Sequence, residues 1–345
     1  MSEPQTSIPK GSIILITGAN GFVASHTAQQ FLARGYRVRG TVRDLKRASW
    51  LLETTFKQQA TNGSFELVVI PDFSAPHAFD EAIKGVAAVA HVAVATDFNP
   101  DPNKVIPQTI ASTTSLMEAA QNEPSVKQFV YTSSIVTATM PVPSNPTHVG
   151  SDTWNDKAVE LAWAPPPYDA SRGMLVYMAN KVATEKAVWE FVRGRKPGYA
   201  VNAVSPAAIM GEPLHRSHAE VAAAHVRSLY QGKVEFLSSM PATLNINVKD
   251  VALLHVAAIL DPKVQNARLQ AWAQFCNWND ILAIMRKAVP DREFIDDLPN
   301  LAMLSLSTDL SEPLALLKKW GGQDDWISLE DTITDNVRAL VKMGF

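Results

Sequence analysis

Two stretches of the sequence hold reactive side chains at spacings that could do chemistry. In Tyr177-Met178-Ala179-Asn180-Lys181 a phenol and an ammonium stand at i and i+4, and on a helix that puts them one above the other on a single face. A phenol with its ordinary pKa of about 10 is a poor acid–base group at neutral pH. A nearby ammonium favours the phenolate and draws that value toward the working range, so Tyr177 could protonate a carbonyl oxygen while hydride arrives at its carbon. The second stretch, Tyr131-Thr132-Ser133-Ser134, closes an apolar run with hydroxyls that can donate to the same oxygen and stabilise its developing charge. Neither serine sits in a Gly-x-Ser-x-Gly elbow, so the pattern suits hydrogen-bond donation and not nucleophilic attack.

A source of hydride has its own signature. Thr17-Gly18-Ala19-Asn20-Gly21-Phe22-Val23-Ala24 follows the apolar run Ile13 to Ile16 and opens a helical pattern. Gly18 permits the tight turn, Gly21 lets backbone amides approach a pyrophosphate, and Ala24 lets the helix pack closely. Asn20, Phe22 and Val23 belong to the same cradle, and the helix N-terminus adds partial positive charge. An NAD site usually places an acid about 20 residues after the first glycine. Here that place reads Arg39-Gly40-Thr41-Val42-Arg43-Asp44. Arg43, with Lys46 or Arg47 as helper, can grip a 2′-phosphate through charge-assisted contacts, which favours NADP. Asp72-Phe73 after the third strand offers an acceptor for an adenine amino group, although an Asp there also serves turns. Small Val92 and Ala93 let ribose and nicotinamide lie close to the backbone, and His91 reads as a hydrogen-bonded core histidine.

These groups need a scaffold that brings them to one edge. The amino-terminal part alternates β-rich runs with helical patterns, which predicts an α/β, doubly wound parallel sheet of Rossmann type. Strands are expected at Ser12–Thr17, Arg37–Thr41, Phe65–Ile70, Ala87–Ala93 and Gln128–Thr132, with helices starting near Gly21, Lys46, Pro76, Lys104 and Ser171. Unbroken apolar runs suit strands covered by helices on both faces. Between Met140 and Pro167 prolines and polar residues predict a long loop over one end of the sheet. Later, Ala219–Leu229 reads as a helix followed by irregular chain through Asn247. The expected organisation is a polar extension at residues 1–10, an NADP-binding domain with the catalytic residues at 11–205, and a smaller substrate-binding lobe at 206–345 with elements returning to the first domain.

In this order, TGANGFVASH, VRG-TVRD, VAHVA, YTSS, YMANK and NAVSP resemble the extended short-chain dehydrogenase/reductase family. The resemblance runs from about Gly11 to the C-terminus. It is nearest the dihydroflavonol-reductase-like branch, and within it the fungal and yeast NADPH-dependent aldehyde and carbonyl reductases. The resemblance implies that Ser134 orients the carbonyl, with Ser133 as the alternative, that Tyr177 donates the proton, and that Lys181 lowers the tyrosine pKa while binding the nicotinamide ribose. It also implies cofactor contacts at Thr132, Pro206, Ala208 and Ile209. Phe98, Met140, Pro141, Met174, Ala207, Met240 and Thr243 are the expected substrate pocket. They are mostly apolar or small, which suits a hydrophobic carbonyl compound with one polar anchor.

Composition excludes other classes. Among 345 residues, 46% are hydrophobic and 19% charged, and 31 basic against 34 acidic residues give a net charge of −3. That balance leaves no excess for a phosphate backbone, so no nucleic-acid partner is expected. No apolar run reaches the roughly 20 residues that span a bilayer, and no signal peptide is visible. The single cysteine, Cys276, cannot form an internal disulfide, which fits a reducing, cytoplasmic setting. No metal site is expected from His215, His218 and His225. The leading reading is an NADPH-dependent carbonyl reductase, monomer or homodimer, acting on a small molecule. The alternatives are a sugar-nucleotide epimerase/dehydratase or hydroxysteroid dehydrogenase of the same superfamily, and a dinucleotide-sensing regulator without catalysis.

Overall fold

Ile13–Ile16 (β1) is a four-residue apolar strand whose last three residues are fully buried, as a strand sandwiched between helical layers must be. In this computed structural model, residues 5–94, 98–140, 146–221, 224–235, 237, 243–299 and 301–345 are described. Beside β1 lie Arg37–Val42 (β2), Phe65–Val69 (β3), Val86–His91 (β4) and Gln128–Thr132 (β5). Next in the chain come Thr147–His148 (β6), Ala200–Pro206 (β7), Ala208–Met210 (β8), Thr243–Asn247 (β9), Arg268–Ala271 (β10), Gln274–Cys276 (β11) and Leu306–Ser307 (β12).

Seven strands pair in the order β3-β2-β1-β4-β5-β7-β10, and every neighbour from β3 to β7 is parallel. The order reverses between β1 and β4, so a crevice opens at the carboxyl ends of these strands. The sequence-based α/β expectation holds, with each of the five early strands found within a residue or two of its predicted place.

Helices Phe22–Ala33 (α1), Leu45–Trp50 (α2), Lys57–Thr61 (α3), Pro102–Asn122 (α4), Asp156–Ala162 (α5) and Gly173–Arg195 (α6) connect or cover these strands. Leu15, Val89, Leu116, Phe129, Val188 and Val201 form one apolar core there. At roughly 1.5–3 kcal/mol for each fully buried aliphatic or aromatic side chain, such packing fixes the strand ends on which the site depends.

Three expectations change. No helix starts at Pro76: residues 74–85 run as successive turns, because His77 takes a left-handed φ of 60° that ends any helical path. Phe79 and Ile83 nevertheless enter the core. The stretch from Met140 to Pro167 is not all loop, since it carries β6 and α5, the latter capped by the Asn155 side chain. The helix expected over 219–229 is two, Arg216–Glu220 (α7) and Ala224–Tyr230 (α8), and β9 interrupts the irregular chain expected before Asn247.

The chain divides into two compact units. The first comprises residues 1–140, 151–205 and 255–269, the second 141–150, 206–254 and 270–345. Compared with a single cut after residue 205, residues 141–150 go to the second unit and 255–269 to the first. Among the described residues before β1, Ile8 is buried and its carbonyl accepts a hydrogen bond from the Tyr36 hydroxyl. Within the second unit, β8, β9 and β11 form a small sheet. Trp278, Ile281 and Met285 of Trp278–Ala288 (α10) pack there with Ile333, Val337 and Leu340 of Leu329–Lys342 (α12). No described helix is long and apolar enough to cross a membrane.

Candidate active site

The phosphate loop is built by backbone. Gly18 takes φ +66°, and a Cβ there would stand 3.0 Å from the Ala93 Cβ, so glycine alone suits this turn. Gly21 closes it by donating its amide to the Gly18 carbonyl (2.8 Å). It then starts α1 with no side-chain cap, which leaves the first-turn amides of Phe22 and Val23 suited to an anion. The Thr17 hydroxyl accepts from the amides of both Val92 and Ala93 (3.0 Å each) and meets His91 Nδ1 at 2.9 Å. With its acceptor positions used, the hydroxyl must donate to that nitrogen. His91 therefore carries its proton on Nε2, where it reaches the Thr113 hydroxyl (3.2 Å). Burial, with the Lys181 charge adding to it, pushes the His91 pKa down to about 3. It is the hydrogen-bonded core histidine that the sequence suggested, and it ties the loop after β4 to the loop after β1.

At the end of β2 the charges separate by task. Arg39 is spent on Glu66 (2.7 Å) and on the carbonyls of Ala82 and Lys84. Asp44 caps α2 by accepting from the Lys46 amide (2.8 Å) and lies 3.8 Å from Arg47. Arg43 is exposed and has no ion-pair partner among the described residues. Asp72 accepts from the amide and hydroxyl of Ser74 (2.8 and 2.6 Å), bonds that hold its carboxyl below the ordinary range. Turn chemistry thus claims one of its oxygens. The Phe73 ring packs on Phe79 in the core, with centroids 5.1 Å apart.

The reactive groups converge where β5 ends beside α6. The turn before α6 is capped by Asp169, and α6 buries Val176, Ala179, Val182 and Val188, which turns Tyr177, Lys181 and Glu185 toward the sheet. Tyr177 is half-buried, and the Ser134 side chain, itself half-buried, is the polar group that acts on its phenol. Ser133 is 3% exposed and faces away: its hydroxyl bonds the Glu185 carboxylate and reaches the Thr137 hydroxyl at 3.2 Å. The Lys181 ammonium donates to the Thr132 carbonyl at 2.7 Å and stands 5.1 Å from the centre of the Tyr131 ring. Burial lowers its pKa to about 8 against the opposing pull of Glu185. The Thr132 hydroxyl meets His255 Nε2 at 2.7 Å.

One sequence-based expectation fails. Lys181 is expected to pull the Tyr177 phenol downward, but burial raises it, and the neighbouring Ser134 side chain is what opposes the rise. The physical reason is desolvation, since the buried phenol loses the water that would stabilise its phenolate.

Of the expected pocket residues, Phe98 and Met174 are exposed beside the tyrosine. The Phe98 ring centre is 5.4 Å from that of Tyr177, and Met174 lies three residues before it on α6. Met140 is exposed in the first unit. Ala207 and Thr243, with the expected cofactor residues Pro206, Ala208 and Ile209, belong to the second unit. Pro141 and Met240 lie outside the described residues. Sequence reasoning missed Glu185, His255 and Arg268; only Glu185 carried a signal, its spacing of i+4 from Lys181.

The sequence pattern of the NAD dependent epimerase/dehydratase family matches residues 14–268. The chain belongs to that family. It is 38% identical over 334 residues to the NAD-dependent epimerase/dehydratase terH of Aspergillus terreus, covering 96% of this chain and 98% of that protein. It is 35% identical over 335 residues to aldehyde reductase 2 of Sporidiobolus salmonicolor, covering 96% of each. Among solved structures, the yeast methylglyoxal/isovaleraldehyde reductase Gre2 complexed with NADPH shares the fold, with a TM-score of 0.79, 22% identity, and coverage of 96% of this chain and 98% of that one. Family membership thus agrees with the extended dehydrogenase/reductase resemblance carried by the motifs.

Proposed function

We propose that this family member reduces aldehydes and ketones, including keto esters and aryl ketones, to alcohols, with NADPH as hydride donor and Tyr177 as proton donor. The observation that carries the reading is the convergence of Ser134, at the end of β5, with Tyr177 and the buried Lys181 of α6. The activity named for the Sporidiobolus relative supports it. The glycine turn, the uncapped start of α1 and the unpaired Arg43 fit a dinucleotide bearing a 2′-phosphate; Gly18, Asn20, Gly21, Phe22 and Val23 would hold its diphosphate and Arg43 and Arg47 its 2′-phosphate.

NADPH, when bound, supplies the hydride. Ser134 and Tyr177 donate hydrogen bonds to one carbonyl oxygen, so charge building there meets preorganised donors. Tyr177 then releases its proton to that oxygen, a step in which a positioned acid contributes about 10²–10⁴-fold. Lys181, held on the Thr132 carbonyl one helical turn from the phenol, would bind the nicotinamide ribose. On the same reading the enzyme is a cytoplasmic monomer or homodimer with no nucleic-acid or membrane partner, and light scattering after size exclusion distinguishes the two oligomeric states.

The test is consumption of NADPH against NADH over aryl ketones, β-keto esters and aldehydes, with Tyr177→Phe alongside. Turnover with NADPH that is lost in Tyr177→Phe, while NADPH binding persists, is the expected result. Near wild-type turnover by that variant would refute the role of the phenol. The name carried by the Aspergillus terreus relative favours a second reading, epimerase or dehydratase chemistry on a sugar nucleotide. Turnover of a nucleotide sugar without net NADPH consumption would select it.

A further inference from the structure

On α6, Tyr177, Lys181 and Glu185 recur every fourth residue and share one helix face. Glu185 has no exposed surface. One carboxylate oxygen accepts from Arg268 Nε at 2.7 Å and from the Trp189 indole at 3.1 Å, and the other accepts from the Ser133 hydroxyl. Arg268 is pinned in turn by the carbonyls of Ser151 (2.8 Å) and Thr153 (3.1 Å) and by the Thr137 hydroxyl (3.2 Å). Its guanidinium lies 4.1 Å from the centre of the Trp154 ring. Buried ion pairs gain little over apolar packing of the same shape, because desolvation offsets their attraction. Stability alone therefore gives no reason for an acid at this position.

We propose that Glu185 is a positioning residue for the reduction proposed above, on which this inference rests: its buried carboxylate draws Ser133 off so that Ser134 alone meets the carbonyl, and it stands as a counter-charge one turn beyond Lys181 on the same helix face. The groups facing Lys181 are Glu185 and Tyr177 from its own helix, Tyr131 and the Thr132 carbonyl from β5, and neutral His91 from β4. His255 of Val248–Leu260 (α9) reaches the same threonine, and Arg268 of β10 bonds Glu185. Glu185 is the one anion among these, and it opposes the burial that would neutralise the lysine.

The experiment compares wild type with Glu185→Gln, which keeps the shape and removes the charge. It reads the pH profile of kcat at saturating NADPH and, independently of activity, the pH midpoint for competitive acetylation of Lys181 by peptide mass spectrometry. Loss of the carboxylate makes the ammonium easier to deprotonate, so both the alkaline limb and the acetylation midpoint should move down by about one pH unit, with NADPH affinity unchanged. A variant that loses activity or melting temperature while both midpoints stay at their wild-type values would overturn the inference and leave Glu185 a structural residue. If Glu185→Gln does not fold, Glu185→Gln/Arg268→Gln carries the same measurement with a smaller downward shift, because the Arg268 charge that repels the Lys181 ammonium is removed as well. A wild type that reduces no carbonyl compound refutes the proposed function, while the acetylation midpoints still decide the role of Glu185.

Discussion

Gly173→Ala sets local preference against tertiary contact. Gly173 has φ −53° and ψ −41°, ordinary helical values, and alanine in a helix is favoured over glycine by about 1 kcal/mol. By helix propensity alone the change should stabilise α6. Yet an added Cβ would stand 2.3 Å from the Phe98 carbonyl oxygen and 3.3 Å from the Phe98 Cβ. Relieving that overlap requires the carbonyl to retreat by about 1 Å, and overpacking of this kind typically costs about 1–3 kcal/mol. Phe98 has little room to yield, since it already holds φ 50°, a region unfavourable for a bulky side chain. Its ring lies 5.4 Å from that of Tyr177, so a shift of Phe98 is passed to the proposed proton donor.

A displacement of about 1 Å near reacting groups can lower a rate by about 10²-fold, which bounds the effect. We expect kcat/KM for an aryl ketone to fall by about 10- to 100-fold in Gly173→Ala, with a lower melting temperature. NADPH affinity should stay at its wild-type value, because the loop from Thr17 to Val23 is untouched. Steady-state kinetics, cofactor fluorescence titration and thermal denaturation read these quantities. A variant with wild-type kcat/KM and a raised melting temperature would refute the reasoning, showing that helix propensity decides and that the Phe98 backbone is free to move.

Other expectations follow from the same contacts. Ser134→Ala should lower kcat by about 10²–10³-fold, as loss of one oxyanion donor does. Ser133→Ala should act mainly on stability, by about 1–3 kcal/mol, through the buried hydrogen bond lost to Glu185; equal losses of kcat in the two variants would count against the assignment. Arg43→Gln should weaken NADPH by about 10- to 100-fold, since a charge-assisted bond contributes about 1.5–3 kcal/mol, and leave NADH unchanged; a parallel loss for both cofactors would place Arg43 elsewhere. His91, with a folded pKa of about 3 against about 6.5 unfolded, binds its proton more readily in the unfolded chain. Its contribution to stability is present above about pH 6.5 and is lost as pH falls toward 3. Urea titrations from pH 7 to 4 should show a smaller acid loss in His91→Asn than in wild type, and identical slopes would show that His91 does not titrate on unfolding.

Much of the fold was legible because it is written in local patterns. Ile13 to Ile16 could only be a strand covered on both faces, and Gly18 and Gly21 announce a turn and helix start through backbone conformation, which neighbouring residues alone settle. The i, i+4 spacing of Tyr177 and Lys181 likewise survives any detail of packing, because helix geometry guarantees it. The turns after Pro76 were missed because His77 adopts a left-handed φ that its residue type does not announce, and β6 because a two-residue strand exists only through pairing with distant β12. Residue chemistry alone does not separate the two adjacent serines, and it was the family resemblance that favoured Ser134. In the structure Glu185 holds Ser133, and Arg268, more than eighty residues away in the chain, holds Glu185. The raised Tyr177 and lowered Lys181 also lay beyond the sequence: spacing sets which charges can meet, whereas burial, a product of the whole packed sheet and helix, sets what each proton costs to remove.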